Sequence, residues 1–132
     1  MTTNDIAVTC VLEAWAAATR EGRPDDVLRS HDPMALIYDV LPPLLYPSPA
    51  AYRASWGDWQ PDTLGEGQFD LEDLRVTAGD DVAFAHALIQ CGGTLPDGTT
   101  FSDTVRATFC LMKHGSDWRI AHQHISKPFS AR

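Results

Sequence analysis

Clustered positive charge, long apolar runs and paired cysteines are all missing from this chain, and each absence removes a class of function. Lys and Arg number 10 against 18 Asp and Glu in 132 residues, a formal charge of −8. Without grouped cations, neither nucleic acid nor an anionic membrane surface is an expected partner. No apolar stretch approaches the ~20 residues of a bilayer-spanning helix, and Met1-Thr2-Thr3-Asn4-Asp5 lacks the basic patch and apolar run of a secretory signal. A cytoplasmic protein is the expectation. Cys10, Cys91 and Cys110 are odd in number and show no CxxC spacing, which predicts reduced, mostly buried thiols, with no disulfide and no zinc site. No phosphate-binding glycine loop, GxSxG elbow or Cys-His pair with family spacing occurs, and Gly92-Gly93 reads as a strand bulge. Neither a metal nor a cofactor is expected.

What is present fits one ordinary globular domain over 1–132, 44% hydrophobic and 21% charged. Val8, Val11, Leu12 and Trp15 recur at helical spacing between Asp5 and Arg20, with Asn4 placed to cap and Gly22 to stop the helix. Pro24 opens a short second helix to Leu28, Met34 to Val40 reads as a strand, and Ser48 caps a third helix carrying Tyr52, Ser55, Trp56 and Trp59. Four strands follow, the first over Glu66 to Ala78. Helices first and antiparallel strands after predict an α+β fold with the helices on one face of the sheet.

One hairpin can be worked out residue by residue. Leu95-Pro96-Asp97-Gly98-Thr99 predicts a three-residue loop with glycine at the positive-φ position. Leu95 then faces Thr99, so His86 opposes Thr108, Leu88 opposes Arg106 and Gln90 opposes Thr104, all on one face. A patch this polar reads as the lining of a pocket.

Trp15-Ala16-Ala17-Ala18 before Gly22, Asp103-Thr104-Val105-Arg106, and the ending from Asp117 to Ser126 resemble the nuclear transport factor 2-like superfamily, which includes ketosteroid isomerases, SnoaL-like polyketide cyclases and the association domain of calmodulin-dependent kinase. The resemblance covers nearly the whole chain. It implies a single SnoaL-like domain: a cone-shaped, curved antiparallel sheet packed against three N-terminal helices, also described as a cystatin-like α+β barrel. Ala35-Leu36-Ile37-Tyr38-Asp39 looks like the strand on which ketosteroid isomerases carry a catalytic aspartate, which assigns Asp39 as general base. The isomerases' oxyanion-binding tyrosine falls at Trp15, a departure that argues against steroid isomerisation itself. Arg106 and His86 match pocket cations of the kinase association domain, and would hold a developing oxyanion.

The implied function is a cofactor-independent isomerase, cyclase or dehydratase, moving a proton in a hydrophobic oxygenated molecule such as a polyketide. Its catalytic residues would be Asp39, His86 and Arg106. Trp15, Tyr38, Trp56, Trp59, Phe84, Leu88, Thr104, Thr108 and Gln123 would bind ligand. The competing reading is a non-catalytic carboxylate-binding or oligomerisation domain centred on Arg106 and His86. An epoxide hydrolase ranks third, lacking an assignable second aspartate. His122 and His124 read as a same-face pair with Trp118, Ile120 and Ser126, on a face that the length of the Lys113 to Asp117 loop decides; the resemblance favours a two-residue turn at His114-Gly115, which places Gln123 beside Arg106. The two histidines then lie on the outer face, where a twofold homodimer is expected.

Overall fold

A computed structural model describes residues 1–129. Helix α1 (Thr3–Arg20) buries Val8, Leu12, Trp15 and Ala16, the stripe that helical geometry requires of an element packed along one side. It starts two residues earlier than the sequence suggested, because Thr2 and Asp5 form a capping box: the Thr2 hydroxyl accepts from the Asp5 N–H and the Asp5 carboxylate accepts from the Thr2 N–H. Asn4, the expected cap, lies inside the helix and donates to the Gly79 carbonyl. A four-residue helix α2 (Pro24–Val27) follows, with Asp25 and Asp26 in its first turn. Helix α3 (Pro49–Trp59) begins at Ser48, whose hydroxyl accepts from the Ala51 N–H.

Strands β1 (His31–Tyr38), β2 (Gln68–Ala78), β3 (Val82–Thr94), β4 (Thr100–His114) and β5 (Asp117–Ser126) form one curved sheet in the order β1-β5-β4-β3-β2. Three successive hairpin reversals make β2 to β5 antiparallel, but β1 runs parallel to β5. No hairpin joins those two strands, so nothing in the local chain forces them to oppose.

The β3–β4 hairpin has the expected register, with His86 opposite Thr108, Leu88 opposite Arg106 and Gln90 opposite Thr104. Leu95 and Thr99 close the loop through a 2.8 Å bond, and Gly98 takes φ 89°. Pairing continues without a break through Gly92 and Gly93, so these glycines are not a bulge. Gly92 is needed instead because a Cβ there would strike the Phe101 carbonyl.

The inner face of the sheet takes the odd-numbered residues of β3 and β4. Ala85, Ile89, Ala107 and Phe109 are buried there against α1, with Trp15 edge-on to Phe109 at 5.1 Å. Strand β5 changes parity at Ala121, where the register shifts between Leu111–Ile120 and Cys110–His122. Trp118 and Ile120 therefore point inward, while His122, His124 and Ser126 point outward, which corrects their grouping on one face. The β4–β5 turn is Gly115-Ser116, one residue later than expected, which moves the partner of Arg106 from Gln123 to Ile125, and the extra residue at Ala121 moves it on to Ser126. The cysteines also differ from expectation, since Cys10 and Cys110 are exposed and only Cys91 is half-buried. Among the described residues, no helix is long and apolar enough to cross a membrane.

Candidate active site

Between the helices and the inner face of the curved sheet lies a cavity of about 460 Å³. Its floor is Trp15 from α1, edge-on to Phe69 of β2 at 5.2 Å. Tyr52, Trp56 and Trp59 supply one wall, because spacings of four and three place them on one face of α3. Ile89, Cys91, Val105 and Ile125 supply the opposite wall from the inner sheet face. The side chains of Trp56 and Trp59 are held from outside the cavity: the Arg53 guanidinium lies 5.0 Å above the Trp56 ring, and the Trp59 indole N–H donates to Ser55 Oγ at 3.0 Å.

Asp39 is the carboxylate on this apolar wall. It sits one residue beyond β1, half-buried, at the start of an excursion that ends when Tyr46 pairs back with Ile37 through bonds of 3.0 and 2.8 Å. One carboxylate oxygen, Oδ1, accepts from the Val40 N–H at 2.7 Å, and the other, Oδ2, accepts from the Tyr52 phenol. Burial is the larger cause, and the Asp39 charge the next, that push the Tyr52 pKa far above that of an ordinary tyrosine. The Tyr52 phenol therefore keeps its proton at any physiological pH and acts as a donor. Burial likewise pushes the Cys91 thiol up, so it lines the wall as an apolar group and not as a nucleophile.

Of the residues singled out from sequence, Asp39, Trp15, Trp56 and Trp59 line the cavity together. The others lie elsewhere. His86, Arg106, Phe84, Leu88, Thr104 and Thr108 all occupy the even-numbered, outward face of β3 and β4; each is exposed, and Arg106 Nε donates to Ser126 Oγ at 3.2 Å. The hairpin register was right, but a register fixes which residues share a face and not which face is inside. Tyr38 is also outside the cavity, edge-on to His122 and His124 at 4.8 and 5.1 Å. Gln123 faces inward but is fully buried deeper in the core, 2.8 Å from His31 Nε2. That burial pushes the His31 pKa down and keeps the ring neutral. Tyr52 is the cavity residue that sequence reasoning passed over, although its position four and seven residues before the two tryptophans marks it as sharing their face. Among the described residues, no group of three His, Cys, Asp or Glu side chains is placed to hold a metal ion.

A family model described as the SnoaL-like domain matches residues 8–130. The chain belongs to that family. Solved structures place this SnoaL-like domain in the nuclear transport factor 2-like superfamily. It is similar to a nuclear transport factor 2-like protein of unknown function from Pseudomonas putida, at 27% identity and a TM-score of 0.86 over 99% of this chain and 91% of that one. A ketosteroid isomerase-like protein from Erwinia carotovora atroseptica shares the fold at 14% identity and a TM-score of 0.78, covering 98% and 100% of the two chains. So does a proposed dehydratase from Streptomyces avermitilis, at 18% identity and a TM-score of 0.79, covering 97% and 99%. Among curated proteins there is no match.

Proposed function

We propose that this SnoaL-like domain is a cofactor-independent acid/base enzyme that moves a proton in a hydrophobic oxygenated substrate, in an isomerisation, cyclisation or dehydration of the polyketide-cyclase kind. The observation that carries the reading is the hydrogen-bonded pair of Asp39 and Tyr52 on the wall of a 460 Å³ apolar cavity. Asp39 is the base. Tyr52 and the Val40 N–H fix its two oxygens, so that a free lone pair is oriented before substrate arrives. The surrounding tryptophans make the wall beside Asp39 apolar, which strengthens the charge interactions of the proton-transfer step.

The test is solvent-deuterium exchange next to the carbonyl in a panel of polycyclic ketones. Asp39→Asn is expected to slow exchange by roughly 10²- to 10⁴-fold while the ligand still raises the melting temperature. Undiminished exchange in that variant would remove Asp39 from the mechanism. The Arg106-centred carboxylate reading loses its footing, because Arg106 and His86 do not border this cavity. We also propose that the outer sheet face pairs two copies of the chain, since Phe84, Leu88 and Met112 are 53%, 37% and 47% exposed there. Sedimentation should show a dimer that Phe84→Glu converts to monomer, and a wild-type monomer at tens of micromolar would sink the idea.

A further inference from the structure

Most donors on the cavity wall are already in use within the protein. Tyr52 Oη donates to Asp39, Trp59 Nε1 to Ser55 Oγ, Thr19 Oγ1 to the Trp15 carbonyl at 3.0 Å, and Cys91 Sγ to the Asp103 carbonyl at 3.7 Å. Trp56 Nε1 is buried without a partner. Among the described residues, three lining side chains keep N–H groups free of protein partners: the Trp15 indole, the Gln60 amide and the Arg23 guanidinium. The first two are neutral. Arg23 is the single basic side chain on this lining, and a charged donor holds an oxyanion roughly twice as strongly as a neutral one.

The end of α1 fixes where Arg23 stands. Gly22 takes φ 66°, its N–H donates to the Thr19 carbonyl at 3.2 Å, and the Arg23 N–H donates to the Ala18 carbonyl at 2.9 Å, a Schellman close that turns the chain across the cavity rim. The side chain is then held twice, with Nε donating to Glu21 at 3.2 Å and Nη1 to Asp26 at 2.6 Å. A guanidinium has five N–H donors, so three remain. Asp26 also accepts from Arg29, so two acids face two arginines and the cluster carries no net charge that would repel an anion.

We propose that Arg23 holds the carbonyl oxygen of the substrate and stabilises the enolate oxygen that forms when Asp39 removes the neighbouring proton, an assignment that rests on the proton-transfer reading above. In that step the C–H bond breaks and its proton passes to the Asp39 carboxylate. The C–H electron pair forms a C=C bond, and the carbonyl π pair moves onto oxygen. Arg23 donates hydrogen bonds to that oxygen and keeps its own protons, since a guanidinium stays charged at any working pH. Return of a proton from Asp39, to the same carbon or to a conjugated one, restores the carbonyl. The oxyanion role that the sequence assigned to Arg106 and His86 thus passes to the α1–α2 turn.

Because the Arg23 side chain is 45% exposed, water shares its field, and the expected effect is smaller than for a fully buried oxyanion donor. In the ketone exchange assay, Arg23→Gln should lower kcat by about 10- to 100-fold and leave KM within about threefold, since the bond strengthens only as charge develops. Arg23→Lys should recover part of the loss. Asp26→Asn removes the same ion pair but leaves the cation, and should cost at most a few-fold. A second readout needs no turnover: 4-nitrophenol, whose coloured anion resembles an enolate, is titrated by absorbance while bound to wild type and to each variant. Arg23→Gln should raise the pKa of the bound phenol by about one unit, whereas Asp39→Asn should lower it, because a neighbouring negative charge is gone. Unchanged exchange in Arg23→Gln, equal losses in Arg23→Gln and Asp26→Asn, or a larger loss in Gln60→Leu than in Arg23→Gln would each overturn the proposal. So would a bound phenol that ionises alike with and without Arg23, or no binding of 4-nitrophenol. Failure of the catalytic reading looks different: ketone exchange would be absent, or indifferent to Asp39→Asn, while the bound phenol still responds to Arg23→Gln.

Discussion

Tyr52 keeps its proton at physiological pH while bonded to the carboxylate of Asp39, and this state has a measurable consequence at alkaline pH. A tyrosine whose folded pKa lies above its unfolded value contributes stability that is complete below about pH 10 and is lost as pH rises further, because only the unfolded chain releases the proton. Replacing Tyr52 by Phe should therefore leave the tyrosinate absorbance of the folded protein unchanged up to about pH 11, and the variant should lose less stability than wild type between pH 9 and 11. A tyrosinate signal that drops by a third in Tyr52→Phe would show the phenol to be ordinary. At this scale the sequence was partly informative. Asp39 could be placed from the strand string before it, and Trp56 and Trp59 from their helix. Tyr52 went unassigned because a residue on the same helical face reads first as packing, and its bond to Asp39 spans 13 positions that no local pattern reports.

Elements with strong local chemistry were the most readable. The Ser48 cap, the Pro24 start and the Pro96-Asp97-Gly98 loop all stand where turn and cap preferences put them. The start of α1 was misplaced by two residues, since Thr2 with Asp5 outcompetes Asn4 as a cap. Thr2→Ala is expected to cost about 1 kcal/mol, measured by urea unfolding; no change would mean the box adds nothing. Which side of β3 and β4 faces inward was not readable. The inner set mixes Ala83, Ala85, Ala87 and Ala107 with Ile89, Val105, Phe109 and Leu111, while the outer set holds His86, Arg106 and Thr108 beside Phe84 and Leu88. Reading a polar patch as a pocket lining thus chose the wrong face, since these side chains are exposed and the apolar alternation is the inward one. The parity change at Ala121 in β5 was invisible for a related reason, because a single extra residue leaves no mark in composition.

For the molecule as a whole, the α+β layout followed from the order of elements, but the parallel β1–β5 pairing did not, because those strands lie 78 or more residues apart and share no turn. That junction also holds the buried His31–Gln123 pair. Since burial lowers the His31 pKa, the folded state resists the proton that the unfolded chain accepts below about pH 6.5. Stability should then fall on acidification from pH 7 to 5, by up to about 1.4 kcal/mol per unit from this group. His31→Gln should flatten that slope in thermal melts taken across the range, and an identical slope would assign the loss to other groups. The return of Tyr46 to Ile37 bears on diversification of the family. Both ends of the 38–45 excursion are anchored by that bridge, and Tyr46 rests against Tyr52 at 5.0 Å. The excursion is therefore a cassette: its length and apolar content can change between fixed posts while Asp39 stays in place, so this short stretch is where a lineage could retune what enters the cavity without rebuilding what happens inside it.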